Sequence, residues 1–140
     1  MGIERTLFIV KPDAVERHLI GKILAHVEDK GFRIVEARLG RLTRGEAQTF
    51  YAEHQGKPFF GDLVDYITSG PVMLTCLERE GAIAALRETI GATDPAQAAP
   101  GTVRAIYGRT KQMNSVHASD GPASAEREVK LFFGAVALAR

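Results

Sequence analysis

The hydrophobic pattern of this chain changes its repeat several times, and that alternation limits the available folds more than any other feature. Thr6-Leu7-Phe8-Ile9-Val10 is an unbroken run of strand formers stopped by Lys11-Pro12-Asp13, as expected of a strand covered on both faces. Lys11 is thereby left at the strand's exit. Ile20, Ile23, Leu24 and Val27 recur at helical spacing before Gly31, which predicts an amphipathic helix over 19–30. Over 32–42 the repeat is two, with Arg33, Val35, Ala37 and Leu39 on one face and Ile34, Glu36 and Arg38 on the other, so this strand has at least one wet end. Thr43-Arg44-Gly45-Glu46 has capping-box spacing, and Ala47, Phe50, Tyr51 and His54 follow at helical intervals. A helix over 60–68 carries Phe60, Leu63, Val64 and Ile67 and stops at Ser69-Gly70-Pro71; the run 72–77 is again a buried type of strand. A helix over 81–90 turns Ile83, Leu86 and Ile90 inward, with Arg87 bordering the stripe and Gly91 closing it. Asp120-Gly121-Pro122 starts a short helix over 122–127, and the last strand is expected over 129–133. Taken alone, such alternation points to a doubly wound parallel sheet.

From Gly91 to residue 115 the periodicity fails, apart from room for one short helix over 102–107. Loops beyond about 12–15 residues are uncommon in compact domains unless they do something. At the end of this loop, before the helix start, stands Asn114-Ser115-Val116-His117-Ala118-Ser119-Asp120. A neutral imidazole is a good nucleophile near pH 7, and Ser119, Asp120 and Glu128 are close enough in sequence for one of them to orient its other nitrogen. Three separated segments supply cations: Lys11 at the strand exit, Arg87 beside a helical stripe and Arg104 in the loop. Guanidinium forks and an ammonium point charge suit a polyphosphate.

Composition removes several classes. The 140 residues contain no repeat, low-complexity tract or linker, so one domain over 1–140 is expected. With 18 Lys+Arg against 17 Asp+Glu, general binding to nucleic acid or a membrane surface is not expected. One cysteine, Cys76, excludes an intrachain disulfide framework, and the absence of an apolar leader or a run of about 20 apolar residues favours a cytoplasmic protein. There is no GxGxxG, and Gly21-Lys22-Ile23 lacks the remainder of a Walker loop.

The pattern Asn114-x-x-His117-x-Ser119-Asp120, followed by Ser124-Ala125-Glu126-Arg127-Glu128, resembles the active-site signature of nucleoside diphosphate kinases. The similarity runs in order through Arg5-Thr6-Leu7, Lys11-Pro12-Asp13, Gly21-Lys22-Ile23, Phe50-Tyr51, Pro58-Phe59-Phe60, Leu63-Val64, Ser69-Gly70-Pro71-Val72, Gly91-Ala92-Thr93-Asp94-Pro95 and Pro100-Gly101-Thr102-Val103-Arg104. It implies an α/β (α+β) fold: a ferredoxin-like antiparallel four-stranded sheet with packed helices, an inserted helical pair over 44–68 and a long active-site loop, in place of the parallel sheet. It also implies ping-pong transfer of the γ-phosphate of a nucleoside triphosphate to a nucleoside diphosphate through a phosphohistidine, which balances nucleotide pools.

Carried over by position, His117 would be phosphorylated, Glu128 would hold its second nitrogen, and Ser119 would support that carboxylate or the phosphorylated ring. Lys11 and Tyr51 would flank the transferring phosphate, with Lys11 also reaching the ribose. Arg87, Thr93 and Arg104 would hold phosphates, Asn114 would bond the sugar 3′-hydroxyl, and Phe59, with Leu63 nearby, would stack on the base. Mg²⁺ would arrive on the nucleotide phosphates, without a protein ligand cage. The partners implied are ATP and other nucleoside tri- and diphosphates, and the assembly a homotetramer or homohexamer.

Each residue has an ordinary alternative. Lys11, Arg87 and Arg104 could be solvated cations, Tyr51 and Phe59 core residues, Thr93 and Asn114 loop residues, and Glu128 a helix end. His18, His26 and His54 read as polar helix positions, and Cys76 as buried filler. The chain also departs from the family pattern. Met113 stands where many members have arginine, Lys111 replaces a small apolar residue over the base, Ala105-Ile106-Tyr107 replaces a Gly/Asp-containing stretch, and Ala118 replaces glycine. The alternative function is a nucleotide-binding regulatory module of the same fold without turnover. A histidine phosphodonor to other proteins is a third.

Overall fold

The computed structural model describes residues 2–134. The elements follow in the order β1 (Ile3–Val10), α1 (Pro12–Glu16), α2 (Ile20–Asp29), β2 (Arg33–Gly40), α3 (Arg44–Phe50), α4 (Phe60–Ile67), β3 (Val72–Glu80), α5 (Ala82–Ile90), α6 (Val103–Tyr107), β4 (Val116–Ala118) and α7 (Pro122–Phe133). The strand order is β2-β3-β1-β4, and every neighbouring pair is antiparallel. This is the ferredoxin-like arrangement implied by the resemblance, and it corrects the parallel sheet that alternation alone suggests. Alternation says which faces are covered, but not which strand lies beside which. Here β3 inserts between β1 and β2, so β1 and β2, joined by α1 and α2, do not pair, while β2 and β3, joined by α3 and α4, lie side by side and antiparallel.

The unbroken apolar run of β1 is accounted for by its central place. Leu7, Phe8, Ile9 and Val10 are all fully buried. Leu7 and Ile9 pack under α3, α4 and α7, against Phe50, Val64, Ile67, Val129 and Phe132. Phe8 and Val10 face the other way, into Ile23, Val27, Leu86, Ile90 and Val103 of α2, α5 and α6. At about 1.5–3 kcal/mol for each such side chain, this strand is the axis of both cores. The capping box forms as its spacing predicts: Glu46 N–H donates to Thr43 Oγ1 at 3.1 Å, and Thr43 N–H to Glu46 Oε1 at 2.9 Å.

Several elements differ from their sequence readings. The expected strand over 129–133 is the second half of α7. Ala125, Glu128, Val129 and Phe132 form one buried stripe at helical spacing, while Val-Lys-Leu-Phe-Phe by itself has no repeat long enough to separate strand from helix. His117 lies not in the loop but on β4, a three-residue strand that exists through pairing with β1, Ile9 opposite His117. α1 also escapes the pattern; Pro12 occupies its first turn, where a missing N–H costs nothing. The helix begun at Thr43 ends at Phe50, leaving His54 in a 3₁₀ turn, Ala52–His54. β2 is wet as expected, with Glu36 to Gly40 exposed, but a bulge between Ile34 and Glu36 breaks its alternation. Among the described residues, no helix is long and apolar enough to cross a membrane.

Candidate active site

Alternation along β4 decides where the histidine points. Val116 and Ala118 join the core under α2 and α5, so His117 projects from the opposite face, towards α3 and α7. The helical stripe of α7 delivers Glu128 to the same place, 3% exposed. Glu128 Oε1 lies 2.9 Å from His117 Nε2 and accepts the Ser119 hydroxyl at 2.7 Å. Phe50 presents itself nearly edge-on to the imidazole, with centroids 4.8 Å apart and planes at 78°.

These contacts set the protonation of the site. Burial would raise the Glu128 carboxyl, but the hydrogen bond and charge of His117, the Ser119 hydroxyl and Arg127 outweigh it and hold the group below its usual range. Burial lowers the imidazole of His117 below its ordinary value, although Glu128 opposes the shift. The ring is therefore neutral near pH 7, and the carboxylate acceptor favours the proton on Nε2. No hydrogen bond engages Nδ1 among the described residues, and His117 lines a cleft of about 260 Å³, so Nδ1 is the nitrogen with a free lone pair.

The cations converge on that cleft. Lys11, Arg87 and Arg104 all line it, together with Tyr51, Phe59, Leu63, Thr93, Asn114 and Glu128. Lys11 is held at the β1 exit by its N–H bond to the Ser115 carbonyl at 2.8 Å, and its ammonium donates to Asn114 Oδ1 at 2.9 Å. Burial, then the charge of Arg104, lowers that ammonium to about 8, with Asp13 opposing. Arg104 is 5% exposed and is fixed through the carbonyls of Gly91 and Val116, while its Nε has no partner. Arg87 donates to the Ala118 carbonyl and pairs with Asp120 at 3.0 Å. Three cations around one cleft, Arg104 buried, Lys11 half-buried and Arg87 exposed, repel one another when alone and are favourable around an anion.

Several side chains tie down the long loop: Arg17 donates to the Tyr107 carbonyl, Gln112 to that of Asp62, and Asn114 crosses the loop itself. Asn114 is 1% exposed and donates through Nδ2 to the carbonyls of Thr93 and Lys111. Thr102 caps α6 by accepting from Ala105 N–H at 3.3 Å. Met113, where an arginine is usual, is 44% exposed, and its carbonyl closes the loop by accepting from the Arg109 and Thr110 N–H groups. On the opposite wall Phe59 is 44% exposed, with the His54 ring 5.3 Å away and Lys57 Nζ 5.8 Å from its own ring. Lys111 also lines the cleft, so it is in reach of whatever lies on Phe59. Burial and the Glu128 charge push the Tyr51 phenol well above its usual range, leaving it a hydrogen-bond donor.

Every candidate site residue thus reaches one cleft, except Ser119, which supports Glu128 from behind. Two neighbours were not singled out from sequence: Phe50 reads as core, and His54 forms part of the wall. Of the three residues near enough in sequence to orient the histidine, Glu128 does so, Ser119 supports it, and Asp120 pairs with Arg87 instead. For His54 the usable signal is its place three residues after Tyr51. Among the described residues, no three His, Cys, Asp or Glu side chains gather as a metal would require. The cleft's donors are cationic, and of its carboxylates Glu128 is engaged with His117, Asp120 with Arg87, and Glu53 lies 3.9 Å from His54, which suits a cation that enters already bound to phosphate oxygens.

The sequence matches the family model for nucleoside diphosphate kinase over residues 4–138. It is 52% identical over 133 residues to the nucleoside diphosphate kinase of Bdellovibrio bacteriovorus, covering 95% of this chain and 94% of the relative. Identity to that of Rhodopseudomonas palustris is 51%, covering 95% of each. The fold is similar to an Aquifex aeolicus nucleoside diphosphate kinase, with TM-score 0.93 and 44% identity over 96% of this chain and 98% of the other. A Halobacterium salinarum nucleoside diphosphate kinase in complex with CDP gives TM-score 0.91 and 45% identity over 94% of this chain and 88% of the other.

Proposed function

The chain belongs to the nucleoside diphosphate kinase family, and we propose that His117 is the group it phosphorylates as it passes the γ-phosphate of a nucleoside triphosphate to a nucleoside diphosphate. The Nδ1 lone pair attacks the γ-phosphorus, the bond to the β,γ-bridging oxygen breaks, and the nucleoside diphosphate leaves with that electron pair. A second nucleoside diphosphate then attacks through a β-phosphate oxygen, and the P–N electrons return to Nδ1. The Nε2 proton stays in place throughout. Glu128 stabilises the positive charge that the ring acquires on phosphorylation, and Ser119 keeps the carboxylate in line.

Lys11, Arg87 and Arg104 offset the charge of the phosphates, and the Tyr51 phenol donates beside the transferring group. Thr93 adds a hydroxyl to the phosphate side. Asn114 meets the sugar 3′-hydroxyl, and Lys11 reaches the ribose as well. Phe59 carries the base, with Leu63 below it and the Lys111 stem in reach of the other face. Stacking makes few demands on base-edge hydrogen bonds, so any nucleobase is accepted. Enzymes of this family use a divalent cation; Mg²⁺ would come in with the nucleotide and offset phosphate charge, while Lys11, Arg87 and Arg104 supply the protein's own positive charge to the same cleft. One domain spans 1–140, it works in the cytoplasm on free nucleotides, and it assembles as a homotetramer or homohexamer. The exposed β2 edge and Leu39, 55% exposed, support self-association, which light scattering measures.

The observation that carries this reading is the polarity of the histidine: Nε2 is engaged by a buried carboxylate, and Nδ1 is left without a hydrogen bond in a cleft that Lys11, Arg87 and Arg104 also line. That arrangement serves transfer rather than mere binding, so the module without turnover is not favoured. Incubation with γ-labelled ATP and Mg²⁺ should place an acid-labile label on His117, chased off by any nucleoside diphosphate. His117→Gln should lose both label and turnover; retention of either refutes the assignment.

A further inference from the structure

Behind Lys11 lies a contact outside the cleft. Asp13, in the first turn of α1, is 8% exposed, and its Oδ1 accepts a hydrogen bond from the Tyr66 hydroxyl. The Asp13 N–H is directed back at the same hydroxyl oxygen, 3.4 Å away. Tyr66 belongs to α4, whose Leu63 lines the cleft. Lys11 precedes Asp13 by two residues and is the N-cap of α1: its carbonyl accepts from the N–H groups of Ala14 and Val15, both at 3.0 Å. Its ammonium lies 5.9 Å from the centroid of the Tyr66 ring. Asp13 Oδ2 is buried without a hydrogen-bond partner. The carboxyl also feels the backbone of Ser115, which sits at φ 77 immediately before β4. A non-glycine residue holds that conformation only where its surroundings impose it.

We propose that Asp13 and Tyr66 form a positioning pair for Lys11, the carboxylate and phenol together locking the first turn of α1 against α4 so that the ammonium stays charged and aimed into the cleft. This rests on reading Lys11 as a phosphate-binding residue. A lysine reaches its target through four rotatable bonds, and its backbone is the one part the fold can fix. The backbone is pinned on one side by the Ser115 carbonyl and on the other by the turn that Tyr66 grips. Asp13 adds a charge effect. Asn114 and the Tyr66 ring face the ammonium without charge, whereas Arg104 from α6 and His117 from β4 disfavour or compete with it; Asp13 from α1 is the anion that opposes them. Burial raises the Asp13 carboxyl above its usual value, and Lys11 together with Arg17, the C-cap of α1, opposes that shift.

The test is nucleotide binding, which reads Lys11 whether or not His117 turns over. Affinity for Mg·ADP is measured by calorimetry between pH 7 and 9.5 for the wild type, Asp13→Asn, Asp13→Glu and Tyr66→Phe. In Asp13→Asn the alkaline fall in affinity should move to lower pH by about one unit, because the ammonium has lost its neighbouring anion. Asp13→Glu should restore the limb. Tyr66→Phe keeps the anion, so the limb stays and affinity drops about three- to tenfold at pH 7, with the same change in KM and a smaller one in kcat. An Asp13→Asn limb at the wild-type position overturns the proposal. If that variant does not fold, wild-type affinity in Tyr66→Phe overturns it instead. Loss of the His117 label with the binding pattern intact would count against the phosphohistidine assignment alone.

Discussion

Replacing Glu128 by glutamine keeps the shape of the site and removes its buried charge. In the wild type, one carboxylate oxygen takes both the Nε2 contact at 2.9 Å and the Ser119 hydroxyl at 2.7 Å. Glutamine can still accept through its carbonyl, so what is lost is the charge assistance. Hydrogen bonds to a charged partner contribute about 1.5–3 kcal/mol, against about 0.5–1.5 for neutral ones, so the difference is about 1–2 kcal/mol. It falls on the step in which the ring becomes cationic. At about 1.4 kcal/mol per tenfold, phosphorylation of His117 should slow by about 5- to 30-fold. The pH dependence has a definite sign. Glu128 raises the imidazole against burial, so without it the ring stays neutral to lower pH. The acid limb of the phosphorylation rate should therefore shift downward. Quench-flow measurement of label incorporation from γ-labelled ATP, from pH 5 to 8, reads both effects. A variant with an unchanged rate and an unmoved limb would refute the role of Glu128. Glu128→Ala should be worse, since it leaves Nε2 and the Ser119 hydroxyl without their shared acceptor in a buried space.

Lys11→Met should abolish nucleotide binding yet raise stability at pH 7. An ammonium lowered to about 8 from 10.5 burdens the fold wherever it is charged in both states, below pH 8, and that burden fades as pH rises towards 10.5. Removing it should add on the order of 1 kcal/mol, or about 3 °C in melting temperature, with the gain shrinking at pH 9.5; a lower melting point at pH 7 counts against this. His117 has the matching dependence on the acid side. Its folded value lies below 6.5, so the unfolded chain takes up the extra proton and stability falls as pH drops below about 6.5. Between pH 7 and 5, His117→Gln should lose less melting temperature than the wild type, and equal losses would contradict the reading. Gly91→Ala tests the loop. Gly91 ends α5 at φ +87, and a Cβ there would meet Thr102 Oγ1 at 2.5 Å; the expected cost is about 1–3 kcal/mol by chemical denaturation, with weaker nucleotide binding because Thr102 caps the helix that bears Arg104.

Much of the cleft's lining was legible in the sequence, and for a particular reason. The order and spacing from Lys11 through Tyr51, Phe59, Arg87, Thr93 and Arg104 to Asn114, His117 and Glu128 resemble one family, and position carries their roles. From residue chemistry alone His117, its possible partners Ser119, Asp120 and Glu128, and the three cations stood out, because nothing local puts Phe59 on the cleft wall or makes Asn114 a tie across a loop. Asp13 and Tyr66 illustrate the limit: 53 residues apart, they meet only because α4 returns over the start of α1.

What the sequence determined by itself was local. Side-chain period put Leu7 and Phe8 of β1 on opposite faces of one strand, the capping box started α3, and Gly91 ended α5. Each follows from interactions within a few residues. What the tertiary structure decided was non-local. It placed β3 between β1 and β2, made residues 129–133 helix, and drew residues 116–118 into a strand. Pairing partners and buried stripes set those outcomes, and they lie far apart in the chain. Edge pairing of β4 with β1 then turns His117 away from the core of Val116 and Ala118 and towards Glu128, a direction that no local pattern specifies.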